Sequence, residues 1–180
     1  EVVLPGLFRD SLQGDSAVAE LFSRLGVETK HDGNSACLAK KACDGGPFVC
    51  NMVNQPDLAQ TVAVTCCMLG KHFRISGLQT LRIKETDRIA ALQKELGKLG
   101  YQIGVEGDDT LFWNGETSTD TTGTENIAID TYEDHRMAMA FAPVALKRDS
   151  ITINNPEVVS KSYPSFWEDM KKAGFKLARV

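Results

Sequence analysis

The segment 81–100, LRIKETDRIAALQKELGKLG, constrains the fold most strongly, because it changes character halfway along. Its second half carries apolar side chains at spacings of three and four: Ile89, Leu92, Leu96 and Leu99. This spacing predicts an amphipathic helix with one buried face. Its first half, KETDR at 84–88, places two cations and two anions where that helix should begin.

A helix start presents free N–H groups and the positive end of the helix dipole. Cations added to that field favour an anion-binding site. The other interpretation is a solvated first turn whose charges lie four residues apart. A second segment, DTYEDHRMAMAF at 130–141, favours the first interpretation. There too an acidic run and an Arg come directly before a short apolar helix. Two such helix starts suggest one polyanionic ligand held from several sides.

Composition narrows the class of protein. The 180 residues are 42% hydrophobic and 24% charged, as in an ordinary globular protein. The net charge of −4 argues against nucleic acid as a partner, and no apolar run approaches the length of a membrane span. The five cysteines are odd in number and lack metal-site or disulfide spacing, which predicts reduced thiols and a cytoplasmic location.

The predicted elements follow the order strand, helix, strand, strand, helix, given twice, and then a last strand and helix. This order predicts a mixed α+β fold with a weak internal repeat of about 70 residues. We place the repeat units at approximately 1–76 and 77–154 and a closing helix at 162–173. Pro143 should kink or shorten the helix predicted at 134–146. The polar stretch 115–124 is predicted to be a loop. An α+β sandwich without a functional repeat is the alternative.

Four stretches carry a resemblance to a known family: SLQGD at 11–15, RIKETDRIAALQKELGKLG at 82–100, TYEDHRMAMAFAPVAL at 131–146 and PEVVSKSYPSF at 156–166. They resemble, in order, signature stretches of the 5-enolpyruvylshikimate-3-phosphate synthase family. The resemblance implies βαβαββ units with helices packed inside and sheets outside, an inside-out prism. It also implies that the chain, which begins at Glu1, is a C-terminal domain fragment holding about two of three such units.

The resemblance further implies an activity. These enzymes transfer the enolpyruvyl group of phosphoenolpyruvate to the 5-hydroxyl of shikimate 3-phosphate and release phosphate, and no metal or cofactor is implied. Such a transfer needs a base for the hydroxyl, an acid for the methylene carbon, and cations that hold phosphate and carboxylate groups.

Two carboxylates match the family's proton carriers. Asp57 resembles the aspartate that accepts the hydroxyl proton, although on its own it reads as an ordinary first-turn Asp. Glu85 resembles the residue that protonates the methylene and later takes the proton back. Because Glu85 lies between Lys84 and Arg88 in sequence, its ionisation should be coupled to both.

The remaining site residues are assigned by the same resemblance. Lys84 corresponds to a lysine at shikimate 3-phosphate, and Thr80 stands where the family often has an Asn that touches this ligand. The expected phosphoenolpyruvate ligands are Arg88, Arg136 and Lys161, since forked guanidinium groups suit carboxylate and phosphate. His135 is either a second donor or a solvent-facing histidine.

These residues should form one wall of a site completed by the N-terminal domain of the same enzyme. We expect the side chains of Lys84, Glu85, Arg88, Arg136 and Lys161 on one exposed, positively charged face. The rival within this fold is the enolpyruvyl transferase for UDP-N-acetylglucosamine, which lacks the KETDR-like and DHRMAM-like pair. From other classes, an RNA-binding module is opposed by the acidic balance, and a purely structural interaction domain leaves both helix starts unexplained.

Overall fold

The computed structural model describes residues 1–118 and 127–179. The strands are β1 (Val2–Pro5), β2 (Val27–Asp32), β3 (Ser35–Lys40), β4 (Phe48–Asn51), β5 (Phe73–Ser76), β6 (Gly104–Glu106), β7 (Thr110–Trp113), β8 (Ala128–Ile129) and β9 (Thr152–Ile153). The helices are α1 (Val18–Ser23), α2 (Ala59–Met68), α3 (Arg88–Lys98), α4 (His135–Phe141) and α5 (Phe166–Lys172). The expected mixed α+β class is confirmed.

The described strands form sheets in the orders β1-β3-β2, β4-β5-β7-β6 and β8-β9. Strand β4 runs parallel to β5, with Phe48 opposite Phe73, and the chain connects them through α2. Strand β8 likewise runs parallel to β9 and is connected to it through α4. A parallel pair needs such a crossover, and the helix in each crossover belongs to the domain interior.

The pairing of the strands indicates where one repeat unit begins and ends. Strands β4 to β7, with α2 and α3 between them, make one complete βαβαββ order within a single sheet, at 48–113. The boundary placed at 76/77 falls inside this sheet, because β5 pairs with both β4 and β7. The division into repeat units stays a prediction, and we propose 48–113 as the unit that sheet pairing favours.

The main core lies between the four-stranded sheet and the helices. On α3 the predicted apolar face is buried, with Ile89, Leu92 and Leu96 at 0% exposure. Helix α2 is buried nearly all round, so it fills the interior rather than the surface. Among the described residues, no helix is long and apolar enough to cross a membrane.

A second apolar cluster joins α4 to the C-terminal segment: Ala138, Ala142, Val158, Val159 and Phe166. It holds the 3-10 helix Pro156–Lys161, which the sequence did not predict, against α4. Helix α4 ends at Phe141, and Ala142–Leu146 continues as a 3-10 helix, as expected of Pro143. The closing helix is shorter than predicted, beginning at Phe166 after Pro164. Part of the predicted loop at 115–124 lies outside the described residues.

The apolar face of α3 can be tested with paired substitutions. Leu92→Ala removes a side chain that is fully buried in the main core, whereas Leu12→Ala changes one that is 103% exposed. We expect Leu92→Ala to lower the free energy of unfolding by about 2–5 kcal/mol, through lost transfer energy and a residual cavity. Leu12→Ala should change it by less than about 0.5 kcal/mol. Urea denaturation of both variants is the measurement, and equal effects would contradict the assigned core.

Candidate active site

The guanidinium of Arg88 lies at the centre of the candidate site. Asp87 caps α3 through a 3.0 Å bond from the amide of Ala90, so Arg88 is the first helical residue. Its side chain is only 2% exposed and donates to three carboxylates. The distances are 2.5 Å to Asp134, 2.7 Å to Asp57 and 2.7 Å to Glu85. The guanidinium therefore joins segments that are far apart in sequence.

Asp57 is the carboxylate that most cations share. It follows Pro56 in the 3-10 helix Pro56–Leu58, directly before α2. Besides Arg88, the ammonium of Lys84 lies 3.4 Å from its Oδ1 and a guanidinium nitrogen of Arg136 lies 3.6 Å from its Oδ2. Burial by itself raises the pKa of Asp57, but these three cations outweigh it and hold the pKa below its ordinary value. Asp57 is thus ionised at neutral pH.

Glu85 lies beside Arg88 at the outer edge of the cluster. Its pKa is lowered, first by a hydrogen bond from its own backbone N–H, against the opposing effect of desolvation. The charges of Arg88, His135 and Lys84 lower it further, in that order. The predicted coupling of Glu85 to Lys84 and Arg88 is therefore confirmed.

The second helix start adds a buried carboxylate. Asp134 caps α4 by accepting a 2.8 Å bond from the amide of Arg136, and the same side chain accepts from Arg88. It is 0% exposed. The side-chain amide of Gln60 also approaches it at 3.5 Å, while the Oε1 of Gln60 is buried without a protein partner. Sequence reasoning named the EDHR segment but did not include Asp134 in the site.

Arg136 extends the cluster toward the N-terminal part of the chain. Its guanidinium donates to the backbone oxygen of Asp57 at 3.1 Å and lies 3.2 Å from the Asp15 carboxylate. Asp15 belongs to the SLQGD turn, which the sequence analysis used only for the resemblance. Its position in that motif was the available signal for a role at the site.

The other predicted residues lie around this cluster. Lys161 donates to the backbone oxygen of Glu133 at 3.2 Å, which joins it to the segment that carries Asp134. His135 is the first residue of α4 and acts electrostatically on Glu85. Thr80 is exposed in the 3-10 helix Gln79–Ile83, and no contact within the described parts of the chain places its side chain in the cluster.

One geometric expectation is wrong. Arg88 is not on an exposed face but buried, because three carboxylates replace the water that a solvated cation would keep. The wall is also not simply positive, since carboxylates pair with Arg88 and Arg136 and with Lys84. The charges do converge in one place, as expected, but they neutralise one another there.

The chain is similar to known proteins of one family. The sequence profile of EPSP synthase (3-phosphoshikimate 1-carboxyvinyltransferase) matches residues 1–170. A 3-phosphoshikimate 1-carboxyvinyltransferase of Bacteroides fragilis is 50% identical over 175 residues, which cover 97% of this chain and 42% of that protein. One of Photobacterium damsela subsp. piscicida is 34% identical, over 96% of this chain and 38% of that protein.

The fold agrees as well. An EPSP synthase structure from Acinetobacter baumannii superposes with a TM-score of 0.62 at 21% identity, covering 96% of this chain and 41% of that one. The superposition shows the fold, and the profile defines the class, that of the EPSP synthases. The chain belongs to the EPSP synthase family. It spans about two fifths of the length of the curated relatives that it matches.

The buried pair of Arg88 and Asp134 should be costly to break. Arg88→Leu leaves the Asp134 carboxylate buried without a cation, and we expect it to lower the free energy of unfolding by about 3–5 kcal/mol. Arg74→Leu is the matched control, because the Arg74–Glu106 pair is 2.7 Å long but is 43% and 64% exposed. Its loss should change the free energy of unfolding far less, since both partners can be hydrated. Equal losses in denaturation would mean that Arg88 is solvated.

The lowered pKa values of Asp57 and Glu85 predict acid sensitivity. A carboxylate whose pKa is depressed on folding stabilises the protein above its unfolded pKa of about 4. That contribution is lost as the pH falls through the lower, folded-state pKa. We therefore expect the free energy of unfolding to fall between about pH 5 and pH 3, and less steeply in Asp57→Asn.

The control for this experiment is Asp10→Asn, since the described parts of the chain contain no ion pair to the exposed Asp10. Urea denaturation across that pH range should give wild-type behaviour for Asp10→Asn. An Asp57→Asn profile that matches wild type would refute the assigned electrostatics.

Proposed function

We propose that this chain forms one wall of an active site that transfers the enolpyruvyl group of phosphoenolpyruvate to the 5-hydroxyl of shikimate 3-phosphate, with release of phosphate. Membership of the EPSP synthase family supports this reaction. The observation that carries the proposal is the convergence of Asp57, Glu85 and Lys84 with two guanidinium groups. It supplies both proton carriers and an anion-binding field in one place.

The two proposed proton carriers have different tasks in the reaction. Asp57 accepts the proton of the 5-hydroxyl as the hydroxyl oxygen bonds to C2 of phosphoenolpyruvate, while Glu85 donates a proton to the methylene carbon. Glu85 then takes a proton back from the resulting methyl group as phosphate leaves. Lys84 lies 3.4 Å from Asp57, where it can stabilise the developing alkoxide and contact shikimate 3-phosphate together with Thr80.

The phosphoenolpyruvate ligands in this proposal are Arg88, Arg136 and Lys161, and His135 supports them as a donor. Two of these groups are now occupied by carboxylates of the protein: Arg88 by Glu85 and Asp57, and Arg136 by Asp15. A substrate carboxylate or phosphate offers the same oxygen geometry to a guanidinium. Substrate binding is therefore an exchange of anions on preorganised cations.

This exchange also explains how Glu85 becomes an acid. In the chain without substrate its pKa is lowered by its own backbone N–H, by Arg88 and by the neighbouring His135 and Lys84. Two bound substrate anions neutralise those cations and add negative charge nearby, and both effects favour the protonated carboxyl. Glu85 would therefore take up a proton as the substrates bind, before it donates to the methylene.

The second wall comes, in this proposal, from the N-terminal domain of the same enzyme, as the greater length of the relatives suggests. We also propose a cytoplasmic location. All five cysteines are free thiols, which suits a reducing compartment.

The isolated chain should be inactive. Half of a site leaves Lys84 and Arg136 partly exposed to water and all three cations paired with protein carboxylates, so phosphoenolpyruvate should bind in the millimolar range or weaker, at about −4 kcal/mol. Alignment of the two substrates, which can account for roughly 7–11 kcal/mol of barrier lowering, is also lost. Phosphate release from the two substrates, compared between this chain and the full-length protein, is the measurement. Turnover by the chain near the full-length rate would refute the two-wall proposal.

In the full-length protein, Glu85→Gln should lower kcat by roughly 10²–10⁴-fold, since it keeps the side-chain shape and removes the proton carrier. The KM for shikimate 3-phosphate should change little. Glu106→Gln, which alters an exposed carboxylate paired with Arg74, is the matched control and should retain wild-type kcat. An undiminished rate in Glu85→Gln would remove Glu85 from the mechanism.

A further inference from the structure

The turn before α4 has a backbone conformation that side-chain-bearing residues rarely adopt. Tyr132 and Glu133 both lie in the left-handed region, with φ of 54° and 59°. Two consecutive such residues persist only where their surroundings hold them. This turn directly precedes Asp134, and the backbone oxygen of Glu133 accepts from Lys161. Its conformation therefore determines where the Asp134 carboxylate meets Arg88.

A buried glutamate on α3 holds this turn. Glu95 is 0% exposed, and its carboxylate accepts a 2.5 Å bond from the phenol of Tyr132 and a 3.1 Å bond from the amide of Asp130. Burial and this bond together raise the pKa of the Tyr132 phenol, which stays protonated as the donor. Glu95 lies two turns along α3 from Arg88, on the same buried face. One helix thus fixes both Arg88 and the turn that carries its partner.

The charge of Glu95 is balanced locally. The ammonium of Lys98 lies 2.6 Å from its carboxylate and 3.0 Å from that of Asp130. Asp130 also accepts from the side-chain amide of Asn154 at 2.7 Å. Each oxygen of Glu95 has a partner, so the network buries this side chain without leaving a carboxylate oxygen unpaired.

We propose that Glu95 and Tyr132 are positioning residues for the active site: they hold the 132–133 turn so that Asp134 aligns the guanidinium of Arg88 for the substrate anion. This inference rests on the proposed function for its ligand, phosphoenolpyruvate. The pair touches no reacting atom, so its effect reaches the substrate through the groups that the turn holds: Asp134 with Arg88, and Lys161 through the backbone oxygen of Glu133.

The test uses Tyr132→Phe, which removes one hydroxyl, and Glu95→Gln, which removes the charge, both in the full-length enzyme. Ile75→Val, which removes a buried methyl group from β5, is the control for general loss of packing. Two properties are measured: the KM values for both substrates, and the solvent exchange of the Nε–H of Arg88 by ¹⁵N NMR. The second measurement requires no turnover.

We expect both positioning variants to raise the KM for phosphoenolpyruvate about tenfold, because a displaced guanidinium no longer matches the anion. The KM for shikimate 3-phosphate should stay within about twofold, and the Nε–H of Arg88 should exchange about tenfold faster. Ile75→Val should change neither KM nor exchange. Equal changes in both KM values, or unchanged exchange at Arg88, would overturn the proposal.

The two proposals fail in different ways. If the unsubstituted full-length enzyme releases no phosphate from these substrates, the proposed function fails, while the exchange of the Arg88 Nε–H still decides the positioning role. If Tyr132→Phe does not fold, Glu95→Gln carries the same measurements. If neither variant folds while Ile75→Val does, the pair acts in stability alone and the positioning role is refuted.

Discussion

The guanidinium of Arg88 has been removed from water, and the structure around it follows from that fact. A buried cation is tolerated only when anions replace its hydration. Here the anions come from three places: Asp57 before α2, Glu85 before α3, and Asp134 before α4. The starts of three elements must therefore meet at one point. The apolar core determines that the helices pack together, and this cluster determines how their ends are aligned.

The first turns of α3 and α4 share a similar arrangement of an aspartate and an arginine. Each helix is capped by an aspartate, Asp87 or Asp134, and each carries an arginine in its first turn. The cap fixes the backbone from which the arginine side chain departs. Because Asp134 is both a cap and the partner of Arg88, moving α4 would disturb the cation on α3. This mutual dependence gives the cluster the rigidity that binding by preformed charges requires.

Neutralisation is the property that distinguishes this wall from a simple basic patch. Carboxylates of the protein pair with the cations that we propose as ligands of the substrate phosphate and carboxylate. Lowered pKa values at Asp57 and Glu85 keep those carboxylates charged. In the proposed reaction, incoming anions compete with them, so the same contacts that stabilise the folded chain would also set the starting protonation states for proton transfer. Stability and the proposed chemistry are thus coupled at one guanidinium.

Much of the fold and of the candidate site could be predicted from local sequence. The spacing of Leu92 and its neighbours determined the buried face of α3, since helical periodicity is a property of the backbone. Pro143 determined where α4 gives way to a 3-10 helix, because its ring cannot continue the hydrogen-bond ladder. The motif around 84–88 identified the family, and it led to the main residues of the proposed site.

Other features were decided only by tertiary structure. The burial of Arg88, and the inclusion of Asp15 and Asp134 around the cations, depend on which distant segments come together. Glu95 is a charged residue on the apolar face of α3. Only the folded structure shows its partner there, the hydroxyl of Tyr132. Charge pairing depends on distance in space, whereas periodicity depends on distance along the chain. That difference is the physical reason why the sequence alone determined the helices and the packing determined their electrostatics.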